Sequence, residues 1–248
     1  LPPFLPSFLP SFDLPARFSA CAPACLRACL PALHYALVLA ALRRRRAVRR
    51  GAERELDQVG AAHRQPVLPA ALDAARDVDQ IQEIAKAFTE MGLEIDLQKH
   101  FGFLTNWKVV GPFHNLERAG FAEKFPPEDN VKLNATYTGK EAEVAWQPLS
   151  TPDPYGKVDL NKPYGKLKEV TAYAYHEFES AKAQEVELRL GCKNAWKIWL
   201  NGELVFGRDE YHRGQRIDQY KMPVEFQKGP NSILLKLCQN EQKQDWTV

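Results

Sequence analysis

Residues 194–206 read NAWKIWLNGELVF, and this stretch restricts the fold more than any other part of the chain. Two runs rich in β-branched and aromatic residues flank Asn201 and Gly202. A two-residue type I′ turn needs φ > 0 at both central positions, which Asn and Gly tolerate. In the first run Trp196, Ile198 and Leu200 alternate with Ala195, Lys197 and Trp199, the period of a half-buried strand. Residues 203–206 then return antiparallel. A β-hairpin here predicts an all-β C-terminal half, and by itself says nothing of function.

The flanking sequence repeats that texture. Residues 107–113 (WKVVGPF) predict a strand ended by Gly111-Pro112. A proline-rich passage at 125–128 follows, and Tyr137 and residues 144–149 predict short strands near an edge, where Pro148 is tolerated. Residues 171–179 alternate tyrosines with alanines, and 185–190 place Val186, Leu188 and Leu190 opposite Glu185, Glu187 and Arg189. Beyond the hairpin come a charged loop at 207–218, a strand at 219–226, a turn at 227–231 and a strand at 232–238. Strands spaced this way predict a mainly β protein, an antiparallel jelly-roll β-sandwich of about eight strands.

Ahead of it, Val78, Ile81, Ile84, Ala85, Phe88 and Met91 form the stripe of one amphipathic helix at about 75–91. Asp77 or Asp79 supplies negative charge at its start, and Gly92 is placed to stop it.

Composition divides the chain. Residues 1–80 hold 11 Arg and no Lys, whereas 81–248 hold 5 Arg and 17 Lys. Residues 1–17 repeat a Leu-Pro-x-Phe theme, and proline at that density disfavours regular structure. Cys21, Cys25 and Cys29 share one helical face, with only His34 near them, which is a poor metal set. The apolar run 30–42 is shorter than a membrane span, and the arginines at 43–46 follow it where a signal peptide would have them precede. That cluster lacks interleaved aromatic groups and reads as a solvated tail, so neither a nucleic-acid partner nor a membrane span is expected. The expected organisation is a disordered or non-native low-complexity segment at 1–72, resembling translated GC-rich upstream sequence, a helical lead-in at 73–100 and the sandwich at 101–248.

WKVVGPF, WQPL, DPYGKVDL, YAYHEF, LRLGC, WKIWLNGELVF and GPNSILLKLCQN together resemble the galactose-binding-domain-like β-sandwich modules of large bacterial proteins. The hairpin is also similar to the sugar-binding-like jelly roll attached to many glycoside hydrolases. The resemblance covers about residues 103–246. It implies an accessory carbohydrate-binding module in a larger secreted or envelope protein, with other domains of that parent as partners. It also implies a further strand after Asp245-Trp246, so a truncated C-terminus is expected.

No nucleotide loop, HExxH, CxxC pair or GxSxG occurs. A glycosidase needs two carboxylates across a cleft, and no pair is nominated. The expectation is therefore a non-enzyme without cofactor or metal. Cys192 and Cys238 read as buried thiols, and His176 as a structural histidine among aromatic residues. The candidate ligand contacts all lie in RDEYHRGQRID: Arg208, Tyr211, His212, Arg213, Arg216 and Asp218. Guanidinium and aromatic groups on a loop held by a rigid frame suit sugar hydroxyls and pyranose faces. The alternative is a structural or protein-interaction spacer, in which the arginines and acids of the loop pair with one another. An exposed aromatic platform beside the loop favours the first reading, and a loop closed by ion pairs favours the second.

Overall fold

The computed structural model describes residues 68–242 and 245–248. The prolines of 1–17, Cys21, Cys25, Cys29, the apolar run and the arginine cluster lie outside the described residues. Residues 72–248 form one compact unit.

Among the described residues three helices precede the strands: α1 (Leu68–Ala74), α2 (Val78–Glu90) and α3 (Leu97–Phe101). In α2 the Asp77 carboxylate accepts from the Asp79 N–H at 3.1 Å, Ile81, Ile84 and Phe88 are buried, and Gly92 leaves the helix at φ 71°. This is the amphipathic helix expected at 75–91. Residues 97–101, which carry no long apolar stripe, still form a turn of helix because Asp96 caps the Lys99 N–H at 3.1 Å and Gly102 closes it in the left-handed region. Gln98 on α3 donates to the carbonyls of Thr151 and Asp153, at 3.3 and 2.8 Å, which ties the helix to that turn.

The body is mainly β and wholly antiparallel. Its strands are β1 (Asn106–His114), β2 (Thr136–Thr138), β3 (Glu143–Ala145), β4 (Gln147–Ser150) and, after the short helix α4 (Asn161–Tyr164), β5 (Val170–Ser180). They continue with β6 (Gln184–Leu190), β7 (Trp196–Leu200), β8 (Glu203–Arg208), β9 (Tyr220–Phe226) and β10 (Gly229–Gln239). Six of them form one sheet in the order β4-β1-β5-β10-β7-β8, while β2–β3 and β6–β9 form two-stranded sheets. The strands are thus shared unequally between layers.

The large sheet is covered on both faces. Trp107, Val109, Ala172, Ala174, Ile198 and Leu235 line one, against which Leu188, Leu190 and Val224 of the β6–β9 sheet pack. Val110, Phe113, Tyr173, Trp199 and Leu234 line the other with Phe125, and Tyr137 and Val144 of β2–β3 close over them. Double coverage accounts for two departures from the expected alternation. Trp199, assigned by period to the solvent side of β7, is 7% exposed, and β10 is buried without a break from Ile233 to Gln239.

Gly111-Pro112 does not end β1. The pairing with β5 slips between Val110 and Phe113, and this bulge carries the strand to His114 with both side chains on one face. A Cβ at Gly111 would meet the Ala172 Cβ at 2.9 Å and the Thr171 carbonyl at 3.0 Å, so the close approach of β1 and β5 requires glycine. Pro148 lies in edge strand β4 as expected. At the far end Val158 and Val248 exchange backbone hydrogen bonds of 2.8 and 3.1 Å, Leu160 donates to the Trp246 carbonyl at 2.9 Å, and the Trp246 side chain is buried. No helix among the described residues is long and apolar enough to cross a membrane.

Candidate functional site

The loop 208–218 leaves β8 at Arg208 and is pinned at several of its residues. Arg208 and Arg213 grip opposite oxygens of Glu210, at 2.6 and 2.7 Å. These two hydrogen-bonded guanidinium groups, Arg213 first, hold the Glu210 carboxyl below the usual carboxylate range. Tyr211 is half-buried, its hydroxyl accepting from Asn115 Nδ2 at 3.1 Å while the Arg118 guanidinium lies 4.8 Å above its ring. Burial, above all, pushes its phenol up. His212, at φ 59°, places Nε2 2.9 Å from Asn240 Nδ2 and 3.7 Å from Glu241. The Arg213 N–H donates to the Lys193 carbonyl at 3.0 Å, and Gln215 donates to the Gly191 carbonyl at 3.1 Å. At the end of the loop Asp218 is held by Arg189 at 2.8 Å and Arg76 at 2.7 Å, with its side chain only 9% exposed.

Of the six candidate residues, the structure therefore joins Arg208 and Arg213 through Glu210 and sends Tyr211 and His212 toward Asn115 and Asn240. Asp218 turns away from that group. Arg216 is exposed and without an ion pair among the described residues. They do not converge on one ligand position, and Tyr211 offers no open ring face on the side that Arg118 covers.

A concave surface does occur, beside Arg216 and Asp218. It is a crevice of about 1130 Å³ between the large sheet and β6. Residues 186–190 of β6 form one wall, and residues 101–104 and 155–158 contribute to its lining as well. The floor is apolar, with Trp107, Ile198, Ile233 and Leu235. Most of its carboxylates are engaged in structure, Asp245 with Lys193 at 3.7 Å among them, and Asp79 is the exception among the described residues. Asp153 accepts the Tyr155 N–H at 2.8 Å, Asp77 caps α2, Glu187 pairs with Arg189 at 2.8 Å, and Asp218 carries its two arginines. By contrast, Lys157 and Arg216 at the rim have no ion-pair partner among the described residues. Sequence reasoning missed this crevice. The β6 alternation and Trp107 were both visible, but a period shows that a face is apolar and not how much of it the opposite layer covers.

On the opposite face of the large sheet Lys236 is fully buried, its ammonium 2.7 Å from Glu128 and donating to the carbonyls of Phe121 and Glu123. The Tyr173 hydroxyl donates to the same Glu128 oxygen at 2.5 Å. Burial lowers the Lys236 pKa, and Glu128 opposes that shift. Cys192 and Cys238 are free, buried thiols, raised by burial to about 12 and about 11, so neither is a ready nucleophile. His176 Nδ1 lies 2.7 Å from the Asn106 carbonyl, and the ring packs on Trp107 and Phe178, the structural role expected of it. No group of three potential metal ligands occurs among the described residues.

No protein-family model and no curated protein matches the chain. Among solved structures it is similar to part of the GH31 alpha-xylosidase from Xanthomonas citri, at 9% identity and a TM-score of 0.34 over 58% of this chain. It is also similar to part of the Faecalibacterium prausnitzii beta-glucuronidase, at 13% identity and a TM-score of 0.29 over 55% of this chain. The chain spans 14% and 20% of the lengths of those two proteins.

Proposed function

We propose that residues 72–248 form a non-catalytic protein-interaction module whose binding face is the crevice beside β6. The observation that carries this reading is the closed state of the loop. Glu210 engages Arg208 and Arg213, Glu241 lies beside His212, and Asp218 is tied to Arg76 and Arg189 from outside the loop, which is the arrangement expected of a spacer or interaction domain and not of an open sugar platform. Most of the carboxylates lining the crevice support a role without acid–base chemistry, because Asp77, Asp153, Glu187 and Asp218 already serve a turn, a cap or an arginine and Asp245 pairs with Lys193. Its apolar floor supports binding by burial. Carbohydrate is the second reading, favoured by the resemblance of the hairpin and its neighbours to galactose-binding-like modules.

Two measurements on the full chain test this. The first follows the methyl resonances of Val186, Leu188, Ile198 and Ile233 while the apolar probe anilinonaphthalene sulfonate is added. Shifts in these methyls are expected, and their absence would mean that the crevice is not a binding face. The second is a glycan array with wild type and with the triple variant Tyr211→Ala, His212→Ala, Arg213→Ala, after its fold is checked. A glycan held by wild type and lost in the variant would return the function to the loop.

A further inference from the structure

We infer that the crevice takes an extended segment of a partner polypeptide, which adds to the β6–β9 sheet as a third strand along the free edge of β6. The inference rests on the crevice being the binding face, as proposed above, and names what fills it.

Six strand edges are open among the described residues: β4 and β8 in the large sheet, β6 and β9 in one small sheet and β2 and β3 in the other. Five are unsuited to pairing: β2 and β3 are only three residues long. Pro148 interrupts β4, Pro223 interrupts β9, and β8 is irregular opposite Ile198 and Trp199. β6 contains neither proline nor bulge over Gln184–Leu190 and runs in unbroken register against β9. The position of Pro223 also fixes which groups β6 presents. It lies opposite Glu187, and proline sits where its missing N–H points away from the ladder. Antiparallel pairs alternate, so Val186 and Leu188 bond to β9 while the main-chain groups of Glu185, Glu187 and Arg189 point to the free edge.

That edge is the one beside the crevice. Five consecutive β6 residues line it, whereas β9 contributes only Phe226. A strand laid there meets two surfaces at once. Its backbone bonds to β6, and its alternate side chains descend onto Trp107, Ile233 and Leu235. Main-chain pairing gives sequence-tolerant affinity, and alternate apolar side chains give the specificity. Charge is uncompensated at one end of that edge. Beside Gly191, Arg216 has no ion-pair partner among the described residues, while Glu187 and Asp218 are held by arginines, so the segment carries acidic residues at that end of an alternating apolar stretch.

The test uses the full chain, labelled with ¹⁵N, and a synthetic ten-residue peptide that alternates valine with threonine and closes on two aspartates. Amide hydrogen exchange at Glu185, Glu187 and Arg189 is expected to slow by about tenfold or more at saturation. Arg216→Glu, at an exposed position, is expected to raise the required peptide concentration about two- to fivefold. A peptide of the same side chains with N-methylated valines is expected to give no protection. Unchanged exchange at the three amides overturns the proposal, and so does equal protection by the N-methylated peptide. If the same amides become protected in the free chain as its concentration rises, the occupant is a second copy and the partner assigned here is wrong. Methyl shifts with the apolar probe but no amide protection leave the crevice as the binding face and remove only the added strand.

Discussion

Lys236 is the side chain whose surroundings depart furthest from its chemistry, an ammonium with no exposed surface in the middle strands of a sheet. What stabilises it there is Glu128, two backbone carbonyls and the faces of Phe125 and Tyr173, at 5.2 and 5.8 Å. Removing one partner of such a pair leaves the other charged and buried. Lys236→Ala is expected to lower stability by roughly 3–5 kcal/mol, and the paired change Lys236→Met with Glu128→Gln to recover much of that loss, read from urea unfolding midpoints. SILLKLC showed a lysine within an apolar strand, but its partner is 108 residues away, at a distance no periodicity spans. Glu210 carries a second prediction. Because its folded pKa is depressed, its pairing with Arg213 and Arg208 is complete above the ordinary carboxylate value of about 4.3 and is lost as pH falls through the lower folded value. Its carboxyl carbon resonance is expected to titrate below that value in wild type and to move back up in Arg213→Ala.

The hairpin was the most legible element, and the structure keeps it. Asn201 and Gly202 stand at φ 52° and 86°, between Leu200 and Glu203, which face each other across the turn. A β-carbon at Gly202 would touch nothing within 4 Å, so the cost of a side chain there is purely conformational. Gly202→Val is accordingly expected to destabilise by on the order of 1–2 kcal/mol, and an unchanged melting temperature would count against the assigned turn. Asn201 does more than tolerate its backbone: its side-chain oxygen accepts the Ser232 N–H at 2.8 Å and its amide donates to Asn231 at 3.0 Å, joining the turn to β10. No turn propensity shows that contact. The misread element was β1, where Gly-Pro punctuation looked terminal. A bulge answered the same residues by slipping the register and keeping the strand.

At the scale of the molecule, what escaped the sequence was the division of strands between layers. Each strand was marked by its own residues, whereas the six-against-two split depends on which strands pair, and pairing joins β5 to β10 and β6 to β9 across long separations. The loop 208–218 was legible as a dense set of charges that could pair among themselves, and its outside ties were not, since Arg189, Arg76, Asn115 and Asn240 come from elsewhere in the chain. The clasp of residues 246–248 on Val158 and Leu160 has a mechanical consequence. Load applied through the C-terminal end reaches three backbone hydrogen bonds one after another, as in peeling, whereas the eleven paired positions of β5 and β10 share a load along their length. The clasp is therefore expected to act as a fuse, giving way at low force and withdrawing Trp246 from the core before the sheet is strained. Single-molecule extension from a C-terminal handle is expected to show this as a short first step ahead of the main rupture, and one undivided rupture would show that the clasp and the sheet yield together.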